Sequence, residues 1–225
     1  MFPLKEVLTP NKFNNAFVDF AVKDIRAFSI ILVENNRTSI TITEVAIILN
    51  FKISLLSLLS ILPNNKNIIL AAGQAGRMSS KNVTVIPSKS IPQGIGALIT
   101  LNPGDDFITA TVKMEESLSS VRTGEITRAV RDTIYNGMII KEGELIGLSD
   151  GELKHTGTNI ATVFEALLEE MIDGDGRLIT LYCGESTGIN EAEKLVEMTG
   201  GKFGNQEFEI QTGGQPVYDL IISVE

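Results

Sequence analysis

The stretch Thr158-Asn159-Ile160-Ala161-Thr162-Val163-Phe164-Glu165-Ala166-Leu167-Leu168-Glu169-Glu170-Met171 is followed, after Asp173-Gly174-Asp175-Gly176, by Arg177-Leu178-Ile179-Thr180-Leu181-Tyr182. Ile160, Val163, Phe164, Leu167, Leu168 and Met171 recur at i, i+3, i+4, i+7, i+8 and i+11, the spacing of one apolar helix face. Glu165 and Glu169 fall on the opposite side and Glu170 on the flank, so these carboxylates face water. Thr158 or Asn159 supplies the N-cap, and the Asp/Gly run ends the helix before an apolar strand. A helix followed directly by a buried strand is the signature of an α/β layer.

Outward from this pair, a second helix is expected from Glu191 to about Thr199, with closing strands at residues 208–211 and 218–224. Upstream, residues 138–154 read as short strands separated by tight turns, with Asp150-Gly151 a preferred hairpin dipeptide. Residues 120–132 read as a strand with Gly124 as its bulge, on which Arg128 and Asp132 share a face and Arg131 points away. The expected result is an α/β unit over residues 121–225 with a mixed sheet and helices on one face.

Residues 61–120 suggest another α/β unit. Residues 67–72 and 82–87 read as buried strands around a short helix at residues 74–80, a βαβ-type unit with a parallel sheet. Ser90 caps a helix over residues 91–99, and another runs from about Asp106 to Ser120. Ligands of such sheets sit beyond the carboxyl ends of the strands. The candidate binding residues are therefore Gln74, Ser88, Ser90 and Gln93, with Gly214 and Gln215 in the corresponding loop of the second unit. Arg128, Arg131 and Asp132 are a further candidate docking group, a structural ion pair being the plainer reading.

The chain has 225 residues, 43% of them hydrophobic, and one cysteine, a composition that excludes disorder and a disulfide framework. Its net charge is -9, without a lysine or arginine run, which argues against nucleic acid as a partner. All 20 glycines follow residue 60. Residues 1–60 carry 6 basic and 5 acidic residues, so the acidity belongs to the remainder. The opening reads either as a helix-rich start or as a truncated or frame-shifted segment, with residues 38–43 alternating like a strand and residues 53–62 open to strand or helix. A signal peptide is not indicated, and Asn50, Lys52 and serines interrupt the apolar run at residues 45–62, so a cytoplasmic protein without a stable membrane span is expected.

His155 and Cys183 are too few for a zinc site and make no persuasive nucleophile–base pair; a solvated turn histidine and a packed thiol are expected. Gly94 and Gly96 lack the third glycine of a dinucleotide fingerprint, and there is no phosphate-binding G-x-x-x-x-G-K-[ST] loop. Arg177 stands where a calcium loop needs an oxygen ligand. No catalytic residue and no metal ligand is assigned.

Residues 61–72, Gln74-Ala75, residues 85–94, Ala129-Val130-Arg131-Asp132-Thr133, the helix at residues 161–173, Gly214-Gln215-Pro216, Tyr218 and residues 221–225 together carry a family likeness. They resemble the C-terminal region of the catalytic component of bacterial fatty-acid kinase, which belongs with the dihydroxyacetone kinase-like proteins. The resemblance covers residues 61–225 and implies a DegV-like fold of two α/β subdomains, the first with a parallel sheet. It implies a non-catalytic docking domain for an acyl-carrying fatty-acid-binding protein, with ATP and magnesium held by a separate kinase domain and no cofactor in this chain. The alternative is a DegV-like protein that binds a fatty acid itself. Residues 1–60 do not match the family. The oligomeric state is left open.

Overall fold

The computed structural model describes residues 29–33, 38–42, 47–53, 56–80, 82–102, 104–174 and 176–225, with side chains from residue 59 onward. It divides into two compact units, the first reaching Ser120 and the second running from Val121 to Glu225.

The first unit holds a five-stranded sheet in the order β1 (Ser29–Val33), β2 (Thr38–Ile42), β3 (Ile47–Ile53), β4 (Leu56–Leu62) and β5 (Asn82–Val85). Neighbours are antiparallel as far as β4, whereas β4 and β5 are parallel. Parallel neighbours need a crossover, supplied by helix α1 (Ile69–Met78). The strand expected at residues 67–72 is thus mostly the first half of this helix, and the strand before the crossover is β4. Helix α2 (Ile91–Ile99) starts at Ser90, whose hydroxyl accepts the Gln93 N–H, with Pro92 in the first turn. Helix α3 (Phe107–Ser117) starts at Asp106, whose carboxylate accepts the Thr109 N–H at 2.8 Å. That bond holds the Asp106 carboxyl below its ordinary range. Leu62, Ile86, Ile95, Leu98, Ala110 and Met114 are buried here. A helix-rich opening concerns residues that in part lie outside the described ones, and the described residues from 29 to 62 are strands.

In the second unit a six-stranded mixed sheet runs β10 (Glu152–Gly157), β9 (Leu145–Ser149), β6 (Arg122–Arg128), β13 (Tyr218–Val224), β11 (Leu178–Cys183) and β12 (Glu207–Thr212), with β11 and β12 its one parallel pair. A separate hairpin pairs β7 (Thr133–Tyr135) with β8 (Met138–Ile140). Helix α4 (Ile160–Met171) begins at Asn159, whose side chain accepts the N–H groups of Ala161 and Thr162. It ends where the Arg122 guanidinium donates to the carbonyls of Glu170 and Met171 at 2.8 and 3.1 Å, a cation placed on the negative end of the helix. Val163, Phe164, Leu167, Leu168 and Met171 are all buried against the sheet and helix α5 (Ile189–Thr199). The Lys202 ammonium bridges Glu165 and Glu169 on the outer face of α4.

Gly124 is not a bulge. It pairs in register with Ile222 and Ser149, and a β-carbon on it would come within 2.8 Å of the Met171 sulfur, so the glycine lets α4 approach the sheet. The register shift lies opposite, on β13, where Asp219 is the extra residue between the pairs Tyr218–Thr127 and Leu220–Ile126.

Candidate functional site

Two loop clusters sit at strand ends, one in each unit. In the first, beyond β4 and β5, Asn64 takes a left-handed backbone conformation (φ 55°) that asparagine tolerates. Its N–H donates to the Ser88 hydroxyl at 2.9 Å, and that hydroxyl donates back to the Asn64 carbonyl oxygen Oδ1 at 2.7 Å. Both residues are buried. Gln93 completes the loop: its Oε1 accepts the Lys89 N–H at 2.8 Å and its Nε2 donates to the Leu118 carbonyl at 3.1 Å. Ser88, Ser90 and Gln93 therefore come together, and each is occupied in fixing the loop. Gln74 does not join them. It lies exposed in the middle of α1 because the chain there is helical, not a strand end.

In the second cluster the chain leaves β11 at Gly184 and enters β13 at Tyr218. The Gly184 N–H donates to the Asp219 carbonyl at 3.0 Å, the Glu185 N–H to the Gln215 carbonyl at 3.0 Å, and the N–H groups of Gly213 and Gly214 both reach the Cys183 carbonyl. Gln215 is buried and its Nε2 donates to the Tyr182 carbonyl at 2.7 Å. Because Asp219 is the bulged residue, its carboxylate leaves the ladder; it accepts the Ser186 hydroxyl and lies 3.2 Å from Arg128 Nε. Burial and the nearby Glu125 carboxylate hold the Tyr218 hydroxyl above its ordinary range, so it stays a neutral donor.

Arg128, Gly214 and Gln215 thus belong to one cluster, together with Ser186 and Asp219. Arg131 and Asp132 do not, because β6 ends at Arg128 and the chain then bends away. Asp132 pairs instead with Lys141 at 2.9 Å and accepts the Glu142 N–H at 2.8 Å, which lowers its carboxyl below the usual range. Ser186 and Asp219 escape sequence reasoning, since they stand 33 positions apart; an aspartate opening an apolar strand and a serine between Gly184 and Gly188 are the only signals.

The chemistry available is binding and support. Burial, with the Glu191 carboxylate adding to it, pushes the Cys183 thiol up to about 11, which suits a packed side chain and not a nucleophile. His155 lies on β10, not in a turn, with Nε2 3.4 Å from a Glu170 oxygen. Among the described residues no three His, Cys, Asp or Glu side chains converge on a metal site. No helix among them is long and apolar enough to cross a membrane. The Asp219 cluster gives a measurable expectation: Asp219→Ala strips a partner from Ser186 and Arg128, and should cost about 1–2 kcal/mol in urea unfolding, both partners being partly solvated. Loss of less than about 0.5 kcal/mol would show the cluster to be idle.

Fold and loops define a two-unit α/β protein of the DegV type. A DegV lipid-binding protein from Thermotoga maritima superposes with a TM-score of 0.51 at 14% identity, covering 75% of this chain and 68% of that one. A second Thermotoga maritima protein, whose structure revealed fatty-acid binding, gives 0.50 at 15% identity over the same shares. The chain belongs to the FakA-like C-terminal family of fatty acid kinases, whose sequence model matches residues 58–225. The protein YloV of Bacillus subtilis is 39% identical over 165 residues, which are 73% of this chain and 30% of that protein. The chain thus spans about a third of the length of such relatives.

Proposed function

We propose that residues 58–225 form a docking domain of a fatty-acid kinase, carrying no phosphoryl transfer of their own and binding an acyl-loaded DegV-like protein in the cytoplasm. ATP and magnesium would be held by a separate kinase domain. The observation that carries this reading is the way polar groups at both strand ends are used. Asn64 with Ser88, and Ser186 with Asp219 and Arg128, are paired to one another, which holds loop surfaces in a fixed shape. Preorganised loops lower the ordering cost of meeting a macromolecule. Membership of the kinase family and a fold like that of fatty-acid-binding proteins support the same conclusion.

Titration calorimetry of the chain with an acyl-loaded DegV-like protein should give saturable heat. Absence of heat at high micromolar concentration would count against docking. An acyl ligand retained by this chain in native mass spectrometry, without partner heat, would replace docking by direct fatty-acid binding.

A further inference from the structure

The β7–β8 hairpin stands apart from the six-stranded sheet. Its turn is Asn136-Gly137, both with positive φ (48° and 81°), a type I′ geometry that matches the twist of the two strands. Ile134 and Ile139 are direct cross-strand partners, so their side chains share one face. They are 72% and 68% exposed. On the other face Ile140 is 1% exposed and seats the hairpin on the body. One step beyond the strands, on the same side as Ile134 and Ile139, Asp132 and Lys141 form an exposed ion pair.

This outer face reads, from tip to base, as an apolar pair followed by a pair of opposite charges. That order is self-complementary. A two-fold axis parallel to the strands lays Ile134 on Ile139 of a second copy and Asp132 on Lys141 of the second copy, with both contacts repeated by symmetry. Charge favours this face over others: residues 121–225 hold 8 basic against 19 acidic residues, so two such bodies repel over most of their surface, whereas the hairpin face carries one charge of each sign. An isolated two-stranded hairpin is marginal in water, and it gains by covering its apolar side.

We infer that the outer face of the β7–β8 hairpin is a self-association surface, joining two copies of this chain through Ile134, Ile139, Asp132 and Lys141. The contact is small beside a standard interface of roughly 1,600 Å², so the dimer is weak and forms reversibly. It does not depend on the docking reading.

Sedimentation equilibrium of the full chain at about 0.15 M salt, which screens repulsion beyond roughly 8 Å, should show monomer and dimer in exchange. Ile134→Asp, and independently Ile139→Asp, should weaken the dimer at least about tenfold. Ile108→Asp, on an equally exposed site of α3, should leave it unchanged. Lys141→Glu and Asp132→Lys should each be monomeric alone and associate when mixed, because only the mixed pair brings opposite charges together. Circular dichroism checks that every variant is folded. A wild-type chain that stays monomeric at several hundred micromolar, a dimer that survives both isoleucine changes, or charge variants that fail to rescue each other would overturn the inference.

Discussion

Phe164→Ala is expected to cost about 3–5 kcal/mol, the range for truncating a buried aromatic ring. Phe164 is wholly buried on the inner face of α4, in a cluster shared with β6, β9, β11 and β13. Removing it forfeits the transfer energy of the ring and leaves a cavity that a helix already in close contact with the sheet cannot collapse into. The readout is unusually direct. All three tyrosines, Tyr135, Tyr182 and Tyr218, lie in the second unit and the chain has no tryptophan, so tyrosine fluorescence in a urea titration follows that unit alone. The midpoint should fall sharply with little change in slope. Glu165→Ala, on the solvent side of the same helix, should stay within about 0.5 kcal/mol. A loss below about 1 kcal/mol for Phe164→Ala would mean that α4 is not seated by this face.

The contrast between these two positions is what makes α4 legible in the sequence. An amphipathic stripe is a local signal, and Asn159 and the Asp/Gly run mark both ends, so periodicity and capping agree. Strands β11 and β13 are legible for a similar reason, as apolar runs between turn residues. Helix α1 is not. It begins at Ile68 without a side-chain cap, and its first residues, Ile69, Leu70, Ala71 and Ala72, are an apolar run that either a strand or a helix can contain. Gly73 then resembles punctuation, although it lies inside the helix. That single ambiguity shifts Gln74 from a helix surface to an imagined strand end.

The bulge is misplaced by the same reliance on glycine as a marker. Gly124 records close approach by Met171, a tertiary cause with no local sign, while the real bulge falls on Asp219, an ordinary-looking residue. Periodicity also carries Arg128, Arg131 and Asp132 along one strand, whereas β6 stops at Arg128 and gives way to the hairpin. The pairings at the candidate sites, Asn64 with Ser88 and Ser186 with Asp219, join residues 24 and 33 positions apart, and no short-range pattern encodes them. The glycines and polar residues of the loops at residues 88–93 and 213–215 indicate the right regions, but not which side chains are spent on holding them.

Gly184→Ala should be the most damaging single change at the second site, at about 3 kcal/mol, the upper end for overpacking. A β-carbon on Gly184 would lie 2.0 Å from the Tyr218 carbonyl oxygen and 3.0 Å from that of Gln215. Both obstacles are backbone atoms, so no rotamer change relieves the contact, and the loops themselves must part. Parting them breaks the Gly184–Asp219 and Glu185–Gln215 backbone bonds and draws the Asp219 carboxylate away from Ser186 and Arg128. The damage should therefore appear twice: as a lowered urea midpoint in tyrosine fluorescence, and as loss of heat with an acyl-loaded DegV-like protein at temperatures where the variant is still folded. Asp219→Ala, which spares the backbone, should unfold more easily than the native chain but less easily than Gly184→Ala. If Gly184→Ala unfolds as the native chain does, the close approach of β11 and β13 at this end is wrong; if it is destabilised yet docks with undiminished heat, the partner engages another surface.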